Sequence, residues 1–352
     1  MKTDFFIVGQ GLAGSLLAYE LINRGKTVLV FDDPCQIKAS EVAAGLVNPI
    51  GFRRMTKSWM ADEVFPVLES TFSKLENLLH QKFYYREPIL RILSEDSLLT
   101  WKTKAFANKL EAYIELNPLI NYKCIGLDKY SSFGLVKRSG RFDISGFILS
   151  FAEFLKSKRL LIPQKFEYSK LNLFSDHVSY DSLVAKKVIF CEGPAASANP
   201  FFRTLIFKHS KGEILDVEFP EFNLEKTISR DIFIIPLGKH RYKIGATYSW
   251  TQLDFIPTIL GRNELLNKLQ MITSVPYTVV KHMAGVRPTM NDRKPVLGFH
   301  PHFPQIGIFN GLGSKGVLLG PYFANNFAEF LTENTVSIYP EVNIERYFLT
   351  RK

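Results

Sequence analysis

DFFIVGQGLAGSLLAYELINRGKTVLVFDD, residues 4–33, carries the signs of strand, glycine turn, helix and strand in succession. FFIV (5–8) is a short apolar run of the kind that forms a parallel strand buried on both faces. Gly9, Gly11 and Gly14 then form G-x-G-x-x-G. Gly9 allows the tight turn, Gly11 lets backbone approach a pyrophosphate, and Gly14 lets the helix pack close on the sheet. Leu12 and Ala13 open that helix, whose first N–H groups suit a diphosphate. The helix runs to about Arg24 and ends at Gly25, a good C-cap. A second strand, TVLVF, delivers Asp32 18 residues after the third glycine, where a carboxylate suits ribose hydroxyls. Asp33 is the neighbouring candidate. Strand, turn, helix and acid agree on a dinucleotide site.

Beyond this unit the chain departs from regular β/α repetition. KASEVAAGLVNPIGFRR (38–54) is rich in small residues from Ser40 through Ala43, Ala44 and Gly45 to Leu46. Small residues let a chain lie against a flat ring system, and the Ser40 hydroxyl can reach a phosphate or ribitol. A tight helix start packed on the sheet is the other reading. Residues 60–135 carry helical patterns, with Val64, Leu68, Phe72, Leu75 and Leu79 at three- and four-residue spacings. A second amphipathic helix within 139–159 is capped by Asp143 or Ser145. VIFC (188–191) is a third buried strand, ending at Glu192-Gly193. From about Lys208 the pattern turns to strands, with a hairpin around Gly238-Lys239. Tyr248 and Trp250 follow, facing a substrate cavity or joining the aromatic core.

The end of the chain poses its own question. NGLGSKGVLLGP (310–321) places Gly311, Gly313, Gly316 and Gly320 at the start of a helix, where glycine costs about 1 kcal/mol relative to alanine. Just upstream lie Gly285-Val286-Arg287-Pro288, Asp292 and Pro295-Val296-Leu297-Gly298.

The glycine fingerprint, the acid at Asp32, S-x-x-A-A-G-L-x-x-P from Ser40 to Pro49 and the G-x-R-P…D…P-x-x-G run resemble FAD-dependent oxidoreductases of the D-amino-acid-oxidase and glycine-oxidase type. The resemblance implies an α/β (α+β) fold: a Rossmann-like FAD-binding domain with a glutathione-reductase-like parallel sheet, interleaved with an antiparallel-sheet substrate domain. It divides the chain into 1–58, 136–207 and 280–352 for FAD and 59–135 and 208–279 for substrate. It implies non-covalent FAD held by the glycine turn, by Ser40 to Leu46 along the flavin, by Gly193 and Gly285, and by Gly311, Leu312, Gly313, Ser314, Lys315 and Gly316 over the pyrimidine end. There the helix dipole favours negative charge on the reduced ring. Arg287 implies a grip on a substrate carboxylate, because guanidinium is always charged and presents a planar fork; a salt bridge to Asp292 is the alternative. Lys315 adds a second cation and Tyr248 a wall. Where many relatives have Ala-Thr-Gly this chain has Cys191-Glu192-Gly193, and where many have G-H-x-x-x-G it has G-L-G-S-K-G.

G-L-G-S-K-G and I-G-A-T-Y (244–248) also resemble the FAD domain of the bifunctional bacterial enzyme that matures 5-methylaminomethyl-2-thiouridine in tRNA. The implied activity is oxidation of the C–N bond of an amino acid or N-substituted glycine, by hydride transfer to flavin N5 and hydrolysis of the imine. The same chemistry on a tRNA wobble uridine, or a flavin-binding protein whose chemistry has lapsed, are the alternatives. No catalytic dyad or triad stands out, in keeping with a reaction that relies on positioning. The net charge of +10 admits tRNA, but without a block of five or more basic residues it gives that partner little support. Three dispersed cysteines, Cys35, Cys124 and Cys191, argue against a disulfide framework or zinc site and for a reducing compartment, the cytoplasm. No leader peptide or long apolar span is apparent. His300 and His302 read as a surface loop rather than a metal pair. The 30 phenylalanines read as an aromatic-rich core.

Overall fold

The computed structural model describes residues 2–52, 54–115, 126–127, 130, 132–333 and 336–348. Cys124 lies outside them. The apolar run at 5–8 forms the core of strand Lys2–Val8, which sits mid-sheet between two parallel partners. Val28–Phe31 flanks it in register Phe5↔Val28 to Val8↔Phe31, and Leu183–Phe190 lies on its other side, with Val8 opposite Phe190. Burial on both faces of the C-terminal halves, 5–8 and 188–190, is why those runs carry no polar alternation. Leu161–Ile162 extends the sheet beyond Val28–Phe31. Leu183–Phe190 changes partner along its length: its start pairs antiparallel with Val178–Tyr180, and its end pairs parallel with Phe303–Asn310. Phe303–Asn310 in turn holds Val296–His300 antiparallel.

One face of this sheet is covered by helices. The first, α1 (Leu12–Asn23), is followed by the single turn α2 (Ala39–Val42), then α3 (Ala61–Leu79) and α4 (Glu95–Ala107). After these come α5 (Ile144–Ser157), α6 (Ile259–Ile272) and α7 (Gly316–Thr332). Helices α1, α3, α5 and α7 pack together, burying Leu16, Leu17, Leu68, Phe72, Phe147, Phe151, Phe323 and Phe327 in one core. The opposite face is aromatic, with Phe31 edge-on to Phe6, Phe166 and Tyr180. Most of the buried phenylalanines lie in these two layers, and Phe133, Phe219 and Phe222 lie under a second sheet.

A second sheet runs in the order Thr278–Arg287, Ser210–Glu218, Arg241–Gly245, Phe233–Gly238, Ile228–Ser229, Ile89–Ile92, Phe133–Val136. It is antiparallel except where Ile228–Ser229 meets Ile89–Ile92. Helix α6 covers part of it over a core of Leu215, Ile234, Ile244, Leu265 and Leu269. The hairpin turn adopts left-handed backbone at Gly238, Lys239 and His240.

The helical reading of 60–135 holds for α3 and α4 but fails between and after them. Tyr84–Arg86, Ile89–Ile92 and Phe133–Val136 are strands. ILRI is too short to show a period, and its partner at Ile228–Ser229 lies far along the chain, where local pattern cannot point to it. Asp143 caps α5, accepting from the Gly146 N–H at 3.0 Å. His300 is not on a surface loop: it is 8% exposed, ringed by Phe202, Phe303 and Phe348, while His302 is exposed. Among the described residues no cluster could hold a metal ion, and no helix is long and apolar enough to cross a membrane.

Candidate functional site

A cavity of about 1340 Å³ is lined by both sheets. At one end it meets the first glycine turn. Gly9 has φ +102°, and a Cβ there would come within 2.6 Å of the Cys191 carbonyl oxygen. At Gly14 a Cβ would overlap the Gly9 carbonyl oxygen, so this glycine serves the packing of α1 and does not reach the cavity wall. Gly11 faces open space; a Cβ would meet only Ser40 Oγ, at 3.4 Å. The first turn of α1 has no side-chain cap from Gly11, and the Leu12 N–H donates to Ser40 Oγ at 3.1 Å. The result is a shallow backbone cradle at a helix N-terminus.

Asp32 lies beside this cradle. Its Oδ1 accepts from the Gln10 N–H at 3.1 Å, and its Oδ2 is 2.8 Å from Lys38 Nζ. Gln10, Asp33 and Lys38 share the wall. Further round, the Glu192 carboxyl accepts from Tyr168 Oη at 2.6 Å and Asn199 Nδ2 at 2.8 Å. Burial pushes this carboxyl up to about 7. Gly193, at φ +58°, completes that corner. The buried Cys191 thiol is pushed up by the same desolvation and is a packing residue.

The segment Ser40 to Leu46 crosses the cavity as α2 followed by extended chain. Gly45 has φ +74°, and a Cβ there would strike the Phe142 carbonyl oxygen, so close packing on the short strand Gly140–Phe142 also demands glycine. Gly285 approaches α2 from the second sheet, 3.1 Å from Val42 by its notional Cβ.

The closing turn forms the opposite wall. Leu312, Gly313, Ser314, Lys315 and Gly316 line the cavity, whereas Gly311 packs on Met290 behind them. Helix α7 has no side-chain cap at its start. Lys315 Nζ donates to the Asn48 carbonyl at 2.7 Å, and burial pulls the amine down to about 8.

Arg287 ends strand Thr278–Arg287 and lies across its neighbour at Gly212, where any Cβ would overlap the guanidinium. Its Nη1 donates to the Lys211 carbonyl at 3.2 Å and its Nη2 to the Thr247 carbonyl at 3.4 Å, with Tyr248's ring 4.1 Å from Cζ. Among the described residues no acid pairs with it. Asp292 is engaged by Arg346 Nε at 2.9 Å instead. Tyr248 is 54% exposed at the cavity and stacks near Trp250, which is 61% exposed and off the wall; neither is a core aromatic.

Thus every residue expected from the sequence except Gly14 and Gly311 lines one cavity. Gln10, Lys38, Arg91, Glu192 and Gly212 were not expected there. Only Glu192 left a sequence trace, as the unusual residue before Gly193. The open glycine cradle, two helix starts whose own N-cap residues supply no capping side chain, and a carboxylate beside them are the donor and acceptor set that a dinucleotide's diphosphate and ribose require. The residues therefore fit FAD.

A dinucleotide cradle on a parallel sheet, facing an antiparallel sheet across a deep cavity, defines a flavin-dependent oxidoreductase. The chain belongs to the FAD dependent oxidoreductase family, which matches residues 4–330, and its cofactor is FAD. The glycine oxidase of Bacillus subtilis (strain 168) is 22% identical over 355 residues, covering 90% of this chain and 89% of that protein. Among solved structures, glycine oxidase from Bacillus cereus ATCC 14579 superposes with a TM-score of 0.77 at 19% identity, covering 96% of this chain and 99% of the other. Iminodiacetate oxidase from Chelativorans sp. BNC1 gives 0.78 at 19%, covering 97% and 98%. The family and fold expected from the motifs are borne out.

Proposed function

We propose that the protein oxidises the C–N bond of a small amino acid or N-substituted glycine. The observation that carries this reading is Arg287, a half-buried guanidinium on the cavity wall hydrogen-bonded only to carbonyls, with no acid in contact among the described residues. A substrate carboxylate matches its fork. Gly212 clears the space in which that fork lies. Tyr248 closes one side of the carboxylate site, and Lys315 adds a positive charge below its pKa of about 8. When bound, FAD accepts the hydride from the carbon next to nitrogen. Gly9, Gly11 and the start of α1 would hold its diphosphate, Asp32 its ribose, Ser40 to Leu46 the ring, and Gly313 to Gly316 its pyrimidine edge. No side chain on the wall need act as a general base if the amine arrives neutral. The segments 1–58, 136–207 and 280–352 serve the cofactor, and 59–135 and 208–279 the substrate.

Glycine oxidase and iminodiacetate oxidase, by their names, act on amines bearing carboxylates, which supports the reading. The test is the visible flavin spectrum, followed anaerobically as amino acids and N-alkylglycines are added. Bleaching by one of them is expected, and Arg287→Ala should raise KM for it by about 10- to 100-fold while FAD stays bound. Unchanged kinetics in that variant would remove Arg287 from the site. A second reading, a nucleoside-bearing amine of tRNA, is favoured by the exposed Tyr248–Trp250 pair beside the cavity, on which a base can stack. Retention on tRNA that weakens steeply with salt is its signature.

A further inference from the structure

Among the described residues three half-buried cations line the cavity with no carboxylate in contact, Arg287, Lys315 and Arg91, whereas Lys165 on the same wall is exposed to solvent. The reading above, on which this inference rests, gives Arg287 a carboxylate and Lys315 the pyrimidine edge. Arg91 remains. It projects from Ile89–Ile92, and its guanidinium lies 5.1 Å from the centre of the Phe52 ring. Its Nη1 donates to Ser229 Oγ at 3.2 Å and to the Arg230 carbonyl. Both partners are neutral, and its Nε and Nη2 have no protein partner among the described residues. Asp231 shares the wall and its charge favours ionised Arg91 from a distance, but it is largely exposed and its ion pair is with Arg230, at 3.9 Å. A half-buried guanidinium with no carboxylate in contact and two nitrogens free can take up an anion at a smaller desolvation cost than a fully solvated one.

We propose that Arg91 binds a second anionic group of the substrate, a carboxylate or a phosphate. Its place in the sheet sets the substrate's shape. The Arg287 guanidinium lies over Gly212 on the next strand and Arg91 reaches Ser229 on its own neighbour, so about three strand spacings, roughly 14 Å at ~4.8 Å each, separate the two groups. Glycine cannot span from Arg287 to Arg91. The substrate class is an extended amine with a carboxylate near the reacting C–N bond and an anion at the end of a long N-substituent. Phe52 and the stem of Arg91 give the intervening chain an apolar surface.

The experiment uses the FAD-loaded protein and unreactive probes read by perturbation of the flavin absorbance. The probes are alkanoates, α,ω-dicarboxylates and ω-phosphonoalkanoates of matched and increasing chain length, so that the apolar contribution cancels within each pair. In the wild type the longer dianions should bind about 10- to 100-fold more tightly than the monoanion of equal length. Arg91→Gln should bring that ratio to about 1, and Arg91→Lys, which keeps the charge but loses the fork, should give an intermediate value. The better of the two dianion series identifies carboxylate or phosphate. A wild type with no dianion preference, or an Arg91→Gln protein that retains it, overturns the proposal. Monoanion affinity in Arg287→Gln is read separately. If it is unchanged the underlying reading fails, while the dianion ratio still decides whether Arg91 holds an anion.

Discussion

Gly11 and Gly14 stand three residues apart, and a methyl group means something different at each. At Gly14 it would overlap the Gly9 carbonyl, so Gly14→Ala must push α1 off the sheet. A cost of about 1–3 kcal/mol is expected, read as a lower denaturation midpoint of the apoprotein. At Gly11 the backbone is at φ −81°, which alanine adopts freely, and the methyl meets only Ser40 Oγ. Gly11→Ala should leave the apoprotein within about 0.5 kcal/mol of wild type and yet lose FAD, because the methyl occupies the diphosphate's approach. Apoprotein melting and flavin fluorescence titration separate the two; a Gly11→Ala protein that binds FAD normally removes the cradle from the argument. Lys315 makes a pH-dependent prediction. Its amine loses its proton near pH 8 in the folded protein but holds it to about 10.4 in the unfolded chain. Across that window the unfolded state binds more protons, so stability rises with pH. Wild-type apoprotein should gain on Lys315→Met between pH 7 and 10, and a constant difference in melting temperature would show that the amine is not desolvated. The spacing of the glycines and Asp32 was legible because it belongs to one local unit. Lys38, Arg91 and Gly212 were not, since only the folded chain brings Lys38 to Asp32 or Gly212 under Arg287.

Among the elements, the glycine-rich start of α7 answers the question its sequence raised. Gly316 and Gly320 lie against Leu12 and Leu16 of α1, and Gly313 against Thr289, so the helix begins close to the cofactor cradle with no capping side chain. An uncapped N-terminus presents N–H groups and a partial positive charge of about +0.5. If the flavin lies as proposed, with its pyrimidine edge at this helix start, the helix would stabilise the negative charge that reduction brings. Ser314→Asp would set a carboxylate against that field. A change of about 0.5–1 kcal/mol corresponds to a flavin midpoint potential some 10–20 mV more negative. A dye-equilibrated reductive titration would reveal this, and an unchanged or more positive potential would place the ring elsewhere. Elements with both faces buried announced themselves in the sequence: FFIV, VLVF and VIF are uninterrupted apolar runs, and all three lie mid-sheet. Strand Ile89–Ile92 did not. It is four residues long, with a single polar position that carries Arg91, and it becomes a strand only by pairing with residues more than forty positions away.

At the scale of the whole molecule, the cavity divides two cores. The helix-covered and aromatic layers stabilise the first sheet, and the cluster under α6 stabilises the second. Residues from both sheets line the space between, and the site assigned to FAD takes its diphosphate cradle from one side and Gly285 from the other. A ligand that binds only when both walls are in place stabilises the folded state by RT ln(1 + [L]/Kd), about 4 kcal/mol at a thousand-fold excess over Kd. For a chain larger than 250 residues each kcal/mol shifts the midpoint by about 2 °C or less, so saturating FAD should raise it by several degrees. Because the ligand spans both sheets, the rise should appear equally in probes of either one. Trp250 follows Ser249, which bridges to Lys211 of the second sheet, and Trp59 stacks on Phe323 of α7, so fluorescence of single-tryptophan variants can report each side. Asp32→Ala, which weakens the ribose contact, should lose most of the increment on both sides together. If FAD stabilises only the Trp59 side, the cofactor is held by the first sheet alone, and the second sheet must then close on substrate.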